Sequence, residues 1–131
     1  TYHDPCRLGR QMGVYEEPRE LINAVEGVNL VEMEHSGEDA MCCGVSSMMS
    51  CNENARALRV SRMEEIKSTG ADTMLTSCPK CVTHFECLKF EDDDKYSDIK
   101  ILDVVTFLAQ QINEKKSKIA EEAITTIETE A

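Results

Sequence analysis

Five of the seven cysteines in this 131-residue chain follow a pattern whose spacing suits metal chemistry. A single cysteine is followed after 35 residues by an adjacent pair and a glycine, and after 34 more by Cys-Pro-Lys-Cys. The five positions are Cys6, Cys42, Cys43, Cys78 and Cys81. The adjacent pair makes a poor disulfide, because neighbouring Cα atoms lie about 3.8 Å apart and disulfides favour about 4.4–6.8 Å. A group outside the chain is therefore expected to hold these two thiols.

The Cys-Pro-Lys-Cys segment is well placed to form thiolates, which are the form of cysteine that binds metals. If a helix begins at Pro79, both sulfurs lie near unpaired N–H groups and the positive end of the helix dipole, which lower thiol pKa values. Five sulfurs exceed the four ligands of structural zinc. An iron–sulfur cluster can use more, and Gly44 could let the backbone approach it. A cluster, zinc, and buried cysteines without metal all stay open at this point.

The cysteine count and the net charge narrow the class of protein. Seven cysteines, an odd number, without a secretion signal favour a reducing cytoplasmic compartment over a disulfide framework. The net charge of −11 argues against nucleic acid and anionic membranes as main partners, since both attract clustered Lys and Arg. No apolar run reaches the roughly 18 residues of a transmembrane segment. Because the chain starts at Thr1 without an initiator Met, we expect it to be cut from a longer protein.

Short apolar or β-branched runs alternate with helical patterns, which is typical of βαβ units and a parallel sheet. The predicted strands are residues 1–3, 28–33, 72–77 and 99–103. The predicted helices run from Pro18 to Gly27, from a point after Cys43 to Gly70, from Pro79 onward, and from an Asp103 cap onward. The predicted fold class is α/β, a small open, mainly parallel four-stranded sheet flanked by helices. Parallel strands share one carboxyl edge, so the five cysteines are expected to converge there.

The apolar positions of the helices predict which side faces the core. They are Leu21, Ile22 and Val25 in the first helix, Cys51, Ala55, Leu58, Met63 and Ile66 in the second, and Val104, Val105, Leu108 and Ile112 in the fourth. The acidic run 91–98 is expected to form a solvated loop. The cysteine-rich domain is assigned to residues 1–113, and the charged tail 114–131 is expected to fray or to be disordered.

Histidines and further cysteines near the pattern are candidates for supporting roles. His3, shortly before Cys6, is the candidate catalytic residue. It could donate a proton to a leaving thiolate, tune a metal centre by hydrogen bonding, or only hold its loop. Cys51 and Cys87 are expected to pack in the core rather than to bind metal. His84 is expected at the helix surface or beside the ligands.

Four arginines carry two different expectations. Arg59 and Arg62 fall near the apolar face of the second helix, where an unpaired charge would be costly. Each should therefore reach an acidic or carbonyl partner. Arg7 and Arg10 are expected at the surface of the first cysteine's loop, where they could attract an anionic substrate.

The segments YHDPCRLGR, CCG, GAD and SCPKC, in this order and at these distances, resemble the cysteine-rich CCG domain of heterodisulfide reductase catalytic subunits and related iron–sulfur oxidoreductases. The resemblance covers about residues 1–110. The second interval, 34 residues, is one residue shorter than the family pattern. Family members often have histidine where this chain has Arg7, and most carry two CCG units where this chain has one.

The resemblance implies a noncubane four-iron, four-sulfur (4Fe-4S) cluster in an oxidoreductase of an anaerobe, acting on a thiol or disulfide substrate. The implied ligands are Cys6, Cys42, Cys43, Cys78 and Cys81. The implied partners are a ferredoxin-type iron–sulfur segment or subunit and a second CCG domain, in the cytoplasm or held at the membrane through partner subunits. The isolated fragment is expected to be inactive. The alternative is a zinc-binding or metal-free module that fixes the fold or docks subunits.

Overall fold

The computed structural model of the chain describes residues 1–45, 52–91 and 93–129. In chain order its regular elements are α1 (Glu16–Asn23), α2 (Glu53–Ser68), β1 (Thr73–Thr76), α3 (Pro79–Glu91), α4 (Asp93–Tyr96), β2 (Lys100–Asp103) and α5 (Val104–Thr129). A π-helical turn (Arg7–Gln11) and a 3₁₀ turn (Gly37–Asp39) lie before α2. Within these described ranges, no helix combines the length and the apolar character that crossing a membrane requires.

The sheet is small and parallel, and β1 lies at its centre. β1 pairs with β2 in parallel register, from Thr73 opposite Lys100 to Thr76 opposite Asp103. On the other side of β1, Tyr2 forms a single parallel bridge with Leu75. The predicted strands at 72–77 and 99–103 are therefore confirmed, and residues 1–3 form a bridge rather than a full strand.

The predicted four-stranded sheet is not observed in the described residues, since only two full strands form there. Residues 28–33 were expected to be a strand and have no ladder. Val28 and Leu30 instead pack against the cluster around Tyr2 and Ile22, and Met33 is buried in a second cluster. The apolar pattern of this segment therefore reflects side-chain burial without backbone pairing.

Two apolar clusters cover the two faces of the sheet. The larger one contains Met33, Cys43, Met63, Ile66, Met74, Cys81, Phe85, Leu88, Tyr96, Ile99 and Ile101. The smaller one contains Tyr2, Ile22, Leu75 and Val104. Consecutive residues of β1 are buried because both faces of the strand are covered. The larger cluster includes two cysteines of the pattern, Cys43 and Cys81, which therefore lie in the core.

The helices follow the predicted order with shifted ends and faces. α3 begins at Pro79 as predicted, and Asp103 caps α5 through a 2.8 Å hydrogen bond from Val105 N–H to its carboxylate. α1 ends at Asn23 instead of Gly27 and buries Ile22, whereas Leu21 is exposed.

The predicted buried faces of α2 and α5 are partly wrong. Leu58 is exposed on α2, whose buried side carries Arg59 and Arg62 beside its apolar residues. Val105 and Ile112 are exposed on α5, because only the side with Val104 packs on the sheet. Cys51, predicted for the α2 core face, lies outside the described residues.

The predicted solvated loop at 91–98 contains a helical turn, α4. Tyr96 at the end of α4 is buried, and its hydroxyl donates a hydrogen bond to Glu64 of α2. Burial of the Tyr96 ring holds this segment against the core despite its acidic residues, so the expectation of a purely solvated loop is wrong.

The predicted boundary at residue 113 falls inside a continuous helix. α5 runs from Val104 to Thr129, and its described side chains from Glu114 to Glu122, including Ile119, are exposed. A helix end that buries little surface has little to hold it. Fraying of residues 114–131 in solution stays a prediction.

Candidate metal centre

The parallel sheet brings the cysteine-bearing segments to one edge. Cys6 follows the segment that pairs with β1, and it stands at the start of the π-helical turn. Cys78 follows β1 after one residue, and Cys81 lies in the first turn of α3. The segment around Tyr2 and β1 run parallel and side by side, so the residues that follow their carboxyl ends are neighbours.

The sulfurs of Cys43 and Cys81 are in direct contact. Their Sγ atoms lie 3.3 Å apart, and each residue is only 3 % exposed. Two thiolates held at about 2.3 Å from one tetrahedral metal lie about 3.8 Å apart, so this separation is near that of shared ligands. A ring nitrogen of His3 joins them, and the three donor atoms lie within 4.8 Å of one another. The structure thus brings two predicted ligands and the predicted catalytic residue together.

The contact between Cys43 and Cys81 shifts their two pKa values in opposite directions. The hydrogen bond from Cys81, followed by one from His3, lowers the pKa of Cys43 to about 4 against the opposing effect of burial. The same contact with Cys43, together with burial, raises the pKa of Cys81. Cys43 is therefore the thiolate of the pair, and a thiolate is the species that a metal binds.

His3 is enclosed on several sides. It is 1 % exposed, its ring meets Phe85 edge to face at 5.1 Å, and Arg62 Nε donates a 3.1 Å hydrogen bond to its Nδ1. Burial lowers the pKa of His3 below its ordinary value. The contact with Cys43 acts in the opposite direction and raises it, and the nearby Arg62 cation lowers it further. His3 is therefore a neutral imidazole.

The other three pattern cysteines are more accessible. Cys6 is exposed, and Cys42 and Cys78 are half-buried. Cys6 and Cys42 line one cavity of about 230 Å³, named here the Cys6 cavity. Gly44 N–H donates a 3.3 Å hydrogen bond to Cys42 Sγ, and Cys78 packs against the core cluster that holds Cys43 and Cys81. None of the six described cysteines forms a disulfide.

A buried carboxylate ties the Cys6 loop to the loop before Cys42. Asp4 accepts hydrogen bonds from both terminal nitrogens of Arg19, at 2.8 and 2.9 Å, and from Gly37 N–H at 2.8 Å. Arg10 adds longer hydrogen bonds to the carbonyl oxygens of Glu38 and Ala40. Sequence reasoning missed this clamp, although an aspartate before Pro5 and Cys6 could have signalled it.

Gly44 allows a close approach between the loop after Cys43 and two helices. Its φ is +93°, and a Cβ there would lie 2.4 Å from the carbonyl oxygen of Ala55 and 3.2 Å from His84 Nε2. The glycine therefore lets the loop after Cys43 lie against the start of α2 and against α3. Its expected approach to a metal group stays a prediction.

Gly44→Ala is expected to lower the free energy of unfolding by about 2–4 kcal/mol, since a left-handed backbone strain adds to a backbone clash. Gly70→Ala is the matched control, because Gly70 has φ +73° with nothing within 4 Å of its added Cβ. Its expected cost is about 1–2 kcal/mol. Urea unfolding of both variants checks the difference, and equal losses would contradict the role given to Gly44.

The two buried arginines of α2 have the expected partners. Arg59 donates to the Glu91 carboxylate at 2.8 Å and to the carbonyl oxygen of His84 at 3.2 Å. Arg62 donates to the Glu65 carboxylate at 2.6 Å. These contacts replace part of the water that each cation loses on burial, since Arg59 Nε and Arg62 Nη2 have no hydrogen-bond partner among the described residues.

The remaining candidates have mixed outcomes. His84 is buried, which excludes the helix surface, and its other expected placement, beside the ligands, stays a prediction. Its Nε2 has no hydrogen-bond partner among the described residues. Arg7 and Arg10 are exposed as expected. Cys87 is half-buried on α3, and its packing role stays a prediction.

Comparison with known proteins identifies the family. Residues 1–86 match the family described as the cysteine-rich domain CCG. The chain is 37 % identical over 115 residues to the probable iron–sulfur-binding oxidoreductase FadF of Bacillus subtilis, covering 86 % of the chain and 16 % of that protein. It is 37 % identical over 114 residues to one subunit of the dihydromethanophenazine:CoB–CoM heterodisulfide reductase of Methanosarcina acetivorans, covering 86 % and 27 %.

A third relative is one subunit of the fumarate reductase (CoM/CoB) of Methanothermobacter marburgensis, 34 % identical over 110 residues, with 82 % of the chain and 22 % of the relative covered. The chain thus spans 16–27 % of the length of these relatives. The family match covers the CCG motif and the Cys-Pro-Lys-Cys motif, and the related proteins are iron–sulfur oxidoreductases or reductase subunits. The chain belongs to the cysteine-rich CCG domain family of heterodisulfide reductase subunits and related iron–sulfur oxidoreductases.

Proposed function

We propose that this chain is the cluster-binding domain of a heterodisulfide-reductase-like oxidoreductase. In this proposal a noncubane 4Fe-4S cluster is held by Cys6, Cys42, Cys43, Cys78 and Cys81. The observation that carries the proposal is the buried Cys43–Cys81 pair at the sheet edge, with Cys6 and Cys42 beside an adjoining cavity. The names of the relatives support iron–sulfur and redox chemistry.

The donor set fits such a cluster better than a single zinc ion. All five proposed ligands are sulfurs, none of them is consumed by a disulfide, and one is poised as a thiolate. The Cys6 cavity, about 230 Å³, leaves space between Cys6 and Cys42 for an inorganic group. The second candidate, a zinc-binding structural or docking module, is favoured by the 3.3 Å separation of the Cys43 and Cys81 sulfurs, which is near that of two ligands of one zinc ion.

When bound, the cluster would supply one-electron transfer and an iron site for a sulfur substrate. The residues around it would divide the remaining tasks. Buried Cys43 and Cys81 would keep water from one side, and exposed Cys6 leaves the other side accessible. Arg10 lines the Cys6 cavity and would attract an anionic thiol or disulfide.

Reduction of a disulfide to two thiols needs two electrons and two protons. We propose that a ferredoxin-type iron–sulfur segment or partner protein supplies the electrons one at a time, and that a second CCG domain completes the reductase. His3 would contribute an N–H to the sulfur of Cys43. The cytoplasm, with membrane attachment through partner subunits, is the proposed location.

The ligand assignment predicts selective loss of metal. After anaerobic reconstitution with iron and sulfide, Cys42→Ser and Cys43→Ser are each expected to retain less than about half the iron of the wild-type chain, or to change its paramagnetic signal. Cys87→Ala is the control and should retain the full amount, since Cys87 is half-buried on α3 and is not one of the five proposed ligands. Iron assay and electron paramagnetic resonance give the readout. Equal iron in all three variants would contradict the assignment.

A further inference from the structure

Arg62 is a buried arginine of α2 whose hydrogen-bond partners among the described residues are His3, His35 and Glu65. It is 0 % exposed, and its Nε donates a 3.1 Å hydrogen bond to His3 Nδ1. Its Nη1 donates to the carboxylate of Glu65 at 2.6 Å and to the carbonyl oxygen of His35 at 2.8 Å. Three contacts thus hold the guanidinium in one orientation.

The direction of the Arg62–His3 hydrogen bond determines the tautomer of His3. A guanidinium has only donors and does not lose its charge in proteins. His3 Nδ1 must therefore accept, so the single proton of the neutral ring lies on Nε2. Nε2–H is then the ring's only donor, and a ring nitrogen of His3 lies within 4.8 Å of the Cys43 sulfur, which is the nearby acceptor of the metal centre.

We propose, as a refinement that rests on the proposed function, that Arg62 is a positioning residue that makes His3 an N–H donor to Cys43 sulfur and bars it from metal binding. A ligating Nε2 would require the ring proton on Nδ1, where it would face the Nε–H of Arg62 at 3.1 Å. Metal-bound histidines instead direct their second N–H to an acceptor. Two opposed donors in a buried site have no water to relieve them.

The consequence for a redox centre is a shift in its reduction equilibrium. An N–H that points at a ligand sulfur stabilises negative charge there and favours the reduced state. Loss of the donor is expected to make the reconstituted chain about tenfold harder to reduce at a fixed potential, which corresponds to about 59 mV for one electron. A residue with a purely structural role would leave this potential unchanged.

The tautomer is measurable without any iron. In the metal-free, reduced chain labelled with ¹⁵N-histidine, two-bond ¹H–¹⁵N correlations should show His3 protonated at Nε2. The signals are assigned with His3→Gln. Arg62→Met should shift His3 toward the Nδ1–H form, and Arg62→Lys, which keeps a donor, should restore part of the wild-type pattern.

Arg59→Met is the matched control, because Arg59 is also 0 % exposed but donates to His84 and Glu91. It should leave the His3 pattern unchanged. If Arg62→Met does not fold, the proposal is tested on the wild-type chain alone. The ¹⁵N signals of His3 are then followed while Zn²⁺ is added, and neither ring nitrogen should show metal coordination.

An Nδ1–H tautomer in the wild-type chain, or a His3 nitrogen bound to Zn²⁺, would overturn the proposal. Failure to assemble iron while His3 stays in the Nε2–H form would count against the proposed function alone. The reduction potential of the reconstituted chain is the second readout. It should be lowest for Arg62→Met, and that of Arg62→Lys should lie between those of Arg62→Met and the wild-type chain.

Discussion

Asp4→Ala is expected to lower the free energy of unfolding by about 3–5 kcal/mol, the usual result when one partner of a buried ion pair is removed. The Asp4 side chain is 3 % exposed and Arg19 is 12 % exposed. The substitution would leave Arg19 without its buried partner and Gly37 N–H without its acceptor. Because Asp4 joins the Cys6 loop to the loop before Cys42, iron retention should fall as well. Urea unfolding and iron assay give the two readouts.

Glu32→Gln is the matched control for Asp4→Ala. Glu32 pairs with the same Arg19 at 2.7 Å, but its side chain is 40 % exposed. Exposed ion pairs contribute about 1 kcal/mol or less. The control should therefore lose less than about 1 kcal/mol and keep its iron. Similar losses for the two variants would mean that the Asp4 clamp does not hold the loops.

In air, the anaerobically reconstituted chain is expected to lose its iron completely and to form a disulfide between Cys43 and Cys81. Cys6 is exposed, so oxygen can reach one side of the site. Once the metal has left, two thiols can give two electrons and two protons to oxygen. Cys43 is the low-pKa attacking sulfur, and Cys81 Sγ lies 3.3 Å away, so they are the favoured pair.

Peptide mass spectrometry without reductant gives the readout for this oxidation. Cys87 serves as the internal control, because it is half-buried and outside the close donor group of the described residues. It should stay reduced while Cys43 and Cys81 are linked. Circular dichroism should change little, since both cysteines already lie in the core cluster. Iron retained after days in air, or oxidation at Cys87 first, would contradict the described geometry of the site.

The convergence of the cysteines could be predicted from the sequence because it depends on local signals. The run of apolar and β-branched residues at Thr73–Thr76 and the proline at position 79 indicate a strand, a turn and a helix start within ten residues. A parallel sheet then places the ends of neighbouring strands together. The partners of Arg59 and Arg62 were also predictable in kind, since a buried cation needs an acceptor.

The features that escaped prediction depend on contacts between distant residues. Residues 28–33 have a strand-like pattern, but whether they pair depends on the position of Tyr2 and β1. Tyr96 draws an acidic run into α4 through Glu64, 32 positions away. The Asp4–Arg19 clamp spans 15 positions. The residue types alone do not show which of the chain's many charged residues pair with each other. The Arg62–His3 contact spans 59 positions, so the tautomer of His3 could not be read from its neighbours.

The most direct measurement of the central claim is the iron and acid-labile sulfide content of the wild-type chain after anaerobic reconstitution in the presence of equimolar Zn²⁺. The account predicts a brown protein with about four irons and four sulfides per chain and little zinc, because a single zinc ion would use at most four of the five proposed sulfur ligands. A colourless protein with about one zinc per chain, and without sulfide, would contradict the cluster and favour the structural zinc module.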